Sequence, residues 1–582
     1  MTQGESFSAR RTRMMHRLHA RATVFARSAT GFISQPEPRT IGLYARGRQL
    51  LAGNYLFAGT LVEAPGLGIW DTAVLDPAFE DEIQGFAWLD DLAAVGDAAA
   101  RAKAQTWTWE WIERHGRGSG PGWTPDLTGR RIIRWINHAI LLLNGRDRAQ
   151  GAAYFRALTQ QTVFLSRRWK TAAPGLPRFE ALTGLIYAGL SLTGMESRVG
   201  PAMAALARDC AREIDSEGGI PTRSPEELLE VFTLLTWSEQ ALSEAGRMPS
   251  PEHLAAIARI APTLRGLRHA DGGLARFHGG GRGLEGRLDQ ALANSGVKAV
   301  AATGLAMGFA RLSGGRTSVV VDAAAPPGGL ASASAHASTL AFELTSGRRP
   351  LVVSCGSGAP FGPEWRRAGR ATASHSTLAI DGFSSSRLGS GGLTGPGTRE
   401  LLVDRAQVTQ MPSGSGPDGT HLILSHDGWS QTHGLTHARR LDLSADGRSL
   451  WGEDVLGAMT MTERRRFEQV MTHNRLQGVS FAVRFHLHPD VDAELDLGGT
   501  AVSLALKSGE IWVFRHDGVA ELGVEPSVYL EKGRLKPRAT KQIVLAATVM
   551  DYATQIGWTL AKAQDTPLAI RDVGREDIPV QT

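Results

Sequence analysis

The chain has 582 residues, with 63 Lys and Arg against 58 Asp and Glu and a formal net charge of +5. Such a length exceeds one hydrophobic core and predicts two large domains, and so small a charge surplus gives no support to a nucleic-acid-binding protein. The two cysteines, Cys210 and Cys355, lie in distant segments of different periodicity, which argues against a disulfide framework and a CxxC metal site and is compatible with a reducing compartment.

The first segment is the most basic. "SARRTRMMHRLHARATVFARSATGF" carries Arg10, Arg11, Arg13, Arg17, Arg21 and Arg27 with no acid after Glu5. As a helix it places Met14, Leu18, Val24 and Phe25 near one weakly apolar face, a pattern suited to peripheral contact with an anionic membrane; a solvated terminal helix is the plainer reading of the same residues. Arginines recur where a signal peptide needs an unbroken apolar run. The twin arginine Arg10-Arg11 lacks that run as well. No later segment has the roughly 18 consecutive apolar residues of a spanning helix. The expected location is therefore the cytoplasm or the periphery of the inner membrane.

From about residue 40 to 265 apolar residues recur at helical spacing. In "TPDLTGRRIIRWINHAILLLNG", Thr124 or Asp126 caps the start, Ile132, Ile133, Ile136, Ile140 and Leu143 fall along one side, and Asn144-Gly145 ends the helix. Further helices are predicted in "AAYFRALTQQTVFLSRRW", "PRFEALTGLIYAGLSLTG", "VGPAMAALARDCAREI" and "SPEELLEVFTLLTWSEQAL". Breakers such as Pro174-Gly175 and Gly218-Gly219 suit antiparallel hairpins wound about a common axis. Trp107, Trp109, Trp111, Trp123 and Trp135 cluster here, and core packing is their default role over sugar stacking.

After a Gly-rich stretch from 266 to 314 the period changes. "STLAFELTSG", "PLVVSCGSG", "STLAIDGF", "HLILSHDGWS", "FAVRFHLHP", "IWVFRHDG" and "KQIVLAATVM" read as short strands between Gly, Ser and Asp turns, which predicts an antiparallel sandwich. No P-loop, strand-linked GxGxxG or HExxH supports a nucleotide or zincin reading.

Three stretches occur in a familiar order. "EGGIPTRSPEELLEVFTLL" is similar to DGG-x-x-x-RSP-x-YH followed by a helix. "SASAHASTLAFELTSGRRPLVVSCGSG" is similar to H-A-H-A-D-x-L-x-F-E-L with a following strand, and "RATASHSTLAIDG" to R-x-T-x-x-H-N-T-x-x-x-D-G. Over roughly residues 175 to 445 the chain thus resembles the heparinase II/III family of polysaccharide lyases. The resemblance implies an α+β multidomain protein: a basic segment 1–40, an incomplete (α/α) toroid over 41–314 with its Gly-rich junction from about 266, and a C-terminal antiparallel β-sandwich over 315–582.

The family removes the C5 proton of a uronic acid and expels the 4-linked sugar. That chemistry needs a neutralised carboxylate, a base and an acid, which the family supplies as Asn, Tyr and His. Here the Tyr-His after RSP falls on Glu227-Leu228, the first His of H-A-H-A-D on Ser334, its Asp on Ser338 and the Asn-His on Leu176-Pro177, although Asn137-His138 stands one hairpin earlier. The expectation is β-elimination on an acidic, uronate-containing polysaccharide with altered residues; the alternative is a non-catalytic glycan-binding or envelope-assembly scaffold. Family lyases commonly work in the periplasm or cell envelope, which is the alternative location.

Arg223, His269, His278 and His375 are the candidate catalytic groups, with Asn137, Glu227, Asp271 and His426 as candidate substrate contacts. Arg223 suits a carboxylate through its forked guanidinium, or a structural bridge. Glu227 suits acid or base work, or a helix first turn after Ser224-Pro225. His269, Asp271 and His278 sit in "RHADGGLARFHGGG", a sugar-binding loop or a set of turns. The resemblance also implies zinc, and no other cofactor, at His336 and His375, with Cys355 beside the position of the family's Asp at Ser354. Such a set requires a bulge at the strand end. Buried, hydrogen-bonded imidazoles are the alternative for both histidines. His486 and His488 share one strand face and suit metal binding or packing.

Overall fold

A computed structural model describes residues 7–73, 76–298, 304–389, 400–410 and 414–563 of the protein. Its first half is helical: α1 (Phe7–Ala22), α2 (Tyr44–Ala52), α3 (Pro77–Gln84), α4 (Trp88–Val95), α5 (Ala98–His115), α6 (Pro125–Asn137), α7 (Ala139–Leu143), α8 (Arg148–Arg168), α9 (Leu176–Ser191), α10 (Val199–Glu213), α11 (Pro225–Glu244), α12 (Pro251–Gly266) and α13 (Arg287–Asn294).

Local chemistry sets many of these boundaries. Asp97 accepts from Ala100 N at the start of α5, Asp147 and Gln150 form a reciprocal capping box on α8, and Ser224-Pro225 and Ser250-Pro251 open α11 and α12. The helix expected over 124–145 instead breaks at His138, which leaves helical geometry with ψ 21°. The break has a tertiary cause: His138 Nε2 lies 2.8 Å from Asp90 Oδ1 and 3.1 Å from Thr40 Oγ1.

α6, α9 and α11 lie side by side. A Cβ on Gly184 would fall 2.5 Å from Gly129 Cα, so α6 and α9 touch backbone to backbone. Gly175 lies beside Glu227, and Ser238 Oγ donates to Thr183 Oγ1 at 3.1 Å, so α9 and α11 run in the same direction. The tryptophans fill the core: Trp107, Trp111, Trp123 and Trp135 are buried, with Trp111 and Trp135 edge to face at 5.5 Å. α1 lies on α8 through His16, whose Nε2 is 3.0 Å from Thr171 Oγ1 and whose ring meets Phe164 edge-on.

The second half is an antiparallel sandwich. One sheet runs, in spatial order, Glu521–Tyr529, Arg538–Val549, Val479–Leu487, Arg349–Val353, Phe342–Ser346, Thr317–Asp322 and Phe309–Gly314. The other runs Val408–Gln410, Gly419–Trp429, Leu435–Ser444, Ser449–Gly457, Ala553–Lys562, Ile511–His516, Ala501–Leu506 and Val491–Asp496. Phe342 and Phe485 of the first sheet meet Trp558 of the second at 5.8 and 4.8 Å, closing the interior between them. The first sandwich strand, Phe309–Gly314, comes before residue 315, because its alternating side chains pair with Thr317–Asp322. Apolar packing is continuous across the seam: the helical core runs on to Phe309, Val320 and Ala341.

Candidate functional site

The seam between helices and sandwich collects most of the candidate polar residues. Arg223 ends the turn before α11 with φ 49°, in the left-handed region that costs a non-glycine residue energy. Its side chain accounts for that strain. Nε donates to Met307 O at 3.1 Å, Nη1 to Ala324 O and Ala325 O at 3.1 and 2.8 Å, and Nη2 to Gly308 O and Asp322 Oδ1 at 2.9 and 2.7 Å. A guanidinium has about five N–H donors. All are engaged, and the plane lies over Phe309 at 4.6 Å.

Asp322 is the hub that this arginine serves. Its Oδ2 accepts from Ser338 Oγ at 2.7 Å and lies 3.5 Å from His278 Nε2. Ser338, which stands where the family carries an Asp, is thus a donor to a carboxylate that the chain keeps elsewhere. His278 Nδ1 accepts from the backbone N–H of His336 at 3.3 Å, and the His336 and His375 rings lie 5.2 Å apart. All three imidazoles are buried. Desolvation by burial holds each well below the ordinary histidine value and so favours the neutral imidazole, with Arg223 adding to it at His278 and Arg370 and Arg276 at His336.

His269 braces a second carboxylate. Its Nε2 lies 3.3 Å from Glu343 Oε2, which also accepts from Arg276 N at 3.0 Å. Burial raises the Glu343 pKa, but the His269 hydrogen bond and charge, with Arg276, bring it below the usual value. Asp271 shapes its own turn, accepting from Gly273 N at 2.9 Å and pairing with Arg282 at 2.9 Å. At the start of α11, Glu227 N donates to Ser224 Oγ at 3.5 Å, and Glu226 accepts from Gly281 N and pairs with Lys532 of the sandwich.

Two candidates lie elsewhere. Asn137 ends α6, next to Ile136, whose carbonyl accepts from Gln35; the neighbouring contact from Ser34 to Leu190 O marks this as the C-terminal end of α6 and α9, away from Glu227. His426 is inside the sandwich, where its Nε2 meets His437 Nδ1 at 3.3 Å and His437 Nε2 meets Asp454 Oδ1 at 2.7 Å. The partners Asp322, Glu343 and Arg276 were missed as functional groups, although Glu343 is the acid of the quoted F-E-L run.

The His336 and His375 rings have a spacing that two imidazoles on one zinc ion, at Zn–N of roughly 2.0 Å, would adopt. Cys355 does not complete the set. Its Sγ faces His486 Nδ1 at 3.5 Å and Ser527 Oγ at 3.9 Å, and among the described residues no three His, Cys, Asp or Glu side chains are gathered to hold a metal. A small hollow of about 20 Å³ lies among the helices, bordered by Arg130, Arg134, Glu180, Glu230, Thr233 and Trp237 of α6, α9 and α11.

A helical toroid joined to an antiparallel sandwich defines the polysaccharide-lyase-like class of folds. Heparinase III superposes with a TM-score of 0.65 at 12% identity, covering 94% of this chain and 89% of its own. The Heparinase III BT4657 gene product gives 0.61 at 13%, covering 96% and 91%. Heparan sulfate lyase HepC from Pedobacter heparinus gives 0.55 at 14%, covering 96% and 89%. The family description Heparinase II/III-like, C-terminal, matches residues 297–559. FtsZ-localized protein C of Caulobacter vibrioides (strain NA1000 / CB15N) is 32% identical over 548 residues, covering 92% of this chain and 91% of its own. The chain belongs to the heparinase II/III-like family.

Proposed function

We propose that this protein is a non-catalytic scaffold built on a lyase fold, working at the cytoplasmic face of the inner membrane where FtsZ assembles. The observation that carries the scaffold reading is Arg223: every donor of its guanidinium is spent on Met307, Gly308, Asp322, Ala324 and Ala325, leaving none for a uronate carboxylate. His278 and His375 are sealed beside it. The FtsZ connection is supported by the likeness to FtsZ-localized protein C along both chains.

Membrane contact is supported by α1 and the turn that follows it. Phe7, Met14, Leu18 and Phe25 are 82%, 54%, 53% and 92% exposed. Their spacing puts them on one face, opposite the buried His16 and Ala20. Exposed Arg10, Arg11, Arg17 and Arg21 flank that stripe, each worth about 1 kcal/mol near an anionic bilayer.

The test is sedimentation of purified protein with FtsZ polymers, with and without anionic vesicles, beside an ultraviolet assay for unsaturated uronate on a panel of acidic polysaccharides. Co-sedimentation without absorbance change is expected. Family membership favours a second reading, β-elimination of a uronate-containing glycan with Glu227 at the tyrosine position. An absorbance rise abolished by Glu227→Gln would establish it and overturn the scaffold.

A further inference from the structure

Cys355 lies two residues past the strand Arg349–Val353, and His486 is on the adjacent strand Val479–Leu487, where it pairs with Val353. Three contacts fix the Cys355 backbone. Its N–H donates to Ser374 O at 2.9 Å, and its carbonyl accepts from Leu530 N at 2.7 Å and Arg276 Nη2 at 3.1 Å. The imidazole is fixed as well. His486 Nε2 lies 2.9 Å from Ala373 O, a carbonyl that can only accept, so Nε2 carries the hydrogen and Nδ1 presents a lone pair. That lone pair faces Cys355 Sγ at 3.5 Å, with Ser527 Oγ 2.8 Å from the same nitrogen.

A thiol beside an oriented imidazole is the arrangement that makes cysteine nucleophilic. The other cysteine supplies an internal contrast. Cys210 on α10 is buried and its thiol is pushed up to about 12, first by desolvation and then by Asp209. Cys355 is as buried, yet the His486 charge and hydrogen bond, with Ser527 and Arg276, outweigh desolvation and bring it below the ordinary value.

We propose that Cys355 and His486 form a reactive pair and that Cys355 is a site of covalent oxidation by small hydroperoxides. The thiol proton passes to His486 Nδ1, and the thiolate sulfur attacks one peroxide oxygen. An S–O bond forms as the O–O bond breaks; sulfur loses two electrons, and the departing alkoxide or hydroxide takes the proton from His486 to leave as alcohol or water. The product is a sulfenic acid, with Ser527 Oγ close enough to hydrogen-bond the new oxygen. Because Arg276 Nη2 and the Leu530 N–H both donate to the Cys355 carbonyl, the added oxygen falls at the brace between helical junction and sandwich.

The experiment treats the folded full-length chain with hydrogen peroxide and a dione that traps sulfenic acids, followed by peptide mass mapping. Cys355 is expected to be labelled and Cys210 not, and His486→Gln is expected to slow Cys355 labelling by about tenfold or more. Equal labelling of both cysteines, no labelling of Cys355, or an unchanged rate in folded His486→Gln overturns the proposal. Labelling of Cys210 marks any variant that has unfolded, and the wild-type contrast between the two cysteines then decides alone.

Discussion

The seam and the N-terminal helix invert the usual rule of what lies inside. At the seam, Arg223, Asp322, His278, His336 and His375 are buried, while along α1 and just beyond it Phe7, Met14, Leu18 and Phe25 face solvent. Arg223, Asp322 and Ser338 satisfy one another at the seam, whereas His336 Nδ1 and both ring nitrogens of His375 are buried with no hydrogen-bond partner among the described residues; the exposed apolar groups of α1 are surface open to a partner. At the seam, charged and polar side chains tie the helices to the sandwich, and the apolar surface that stands away from the core lies on the terminal helix.

The largest effects should come from breaking the brace. Arg223→Ala removes the guanidinium that pairs with the buried Asp322 and is expected to destabilise the protein by about 3–5 kcal/mol, read from the urea midpoint, with no effect on vesicle binding at a temperature where the variant is folded. A cost below about 1 kcal/mol would show that the guanidinium is free to serve a ligand.

Acidification tests the same region. His278, His336, His375 and His426 are held below the ordinary value in the fold, so the unfolded chain binds protons first. Their contribution is complete above about pH 6.5 and is lost as pH falls from there toward the folded values, at about 1.4 kcal/mol per pH unit for each histidine that stays neutral. Denaturant midpoints between pH 7 and 5.5 should fall steeply. Midpoints that rise on acidification would mean that these imidazoles are charged in the fold.

On α1 the expectation reverses. Leu18→Glu combined with Phe25→Glu should change stability by less than about 0.5 kcal/mol and reduce binding to anionic vesicles by at least about tenfold. Unchanged vesicle binding would remove the membrane from the proposal and leave the seam contrast intact. The smallest effect concerns metal: with Cys355 turned to His486, purified protein should carry less than stoichiometric zinc, unchanged in His336→Ala. A full equivalent lost in that variant would restore the three-ligand expectation.

Much of this architecture is readable from local sequence. Capping pairs such as Asp147 with Gln150, the Ser-Pro openings of α11 and α12, and alternation in Leu435–Ser444 each depend on residues within a few positions of one another. The break at His138 is not readable in that way, because Asp90 and Thr40 cause it from 48 and 98 residues away. The site divides similarly. The order of family stretches picks out Arg223, His336 and His375, but assigns neither Asp322 to Arg223 nor His486 to Cys355.

By itself, then, the sequence determined the helical and strand halves and the basic apolar stripe of α1, since each is a property of residue type and short-range spacing. Only the tertiary structure decided that Arg223 spends its donors on Met307, Gly308, Asp322, Ala324 and Ala325, and that Cys355 meets His486 instead of the His336–His375 pair. The physical reason is that hydrogen bonds and burial depend on which distant segments share a few ångströms of space, and strand pairing across more than a hundred residues sets that.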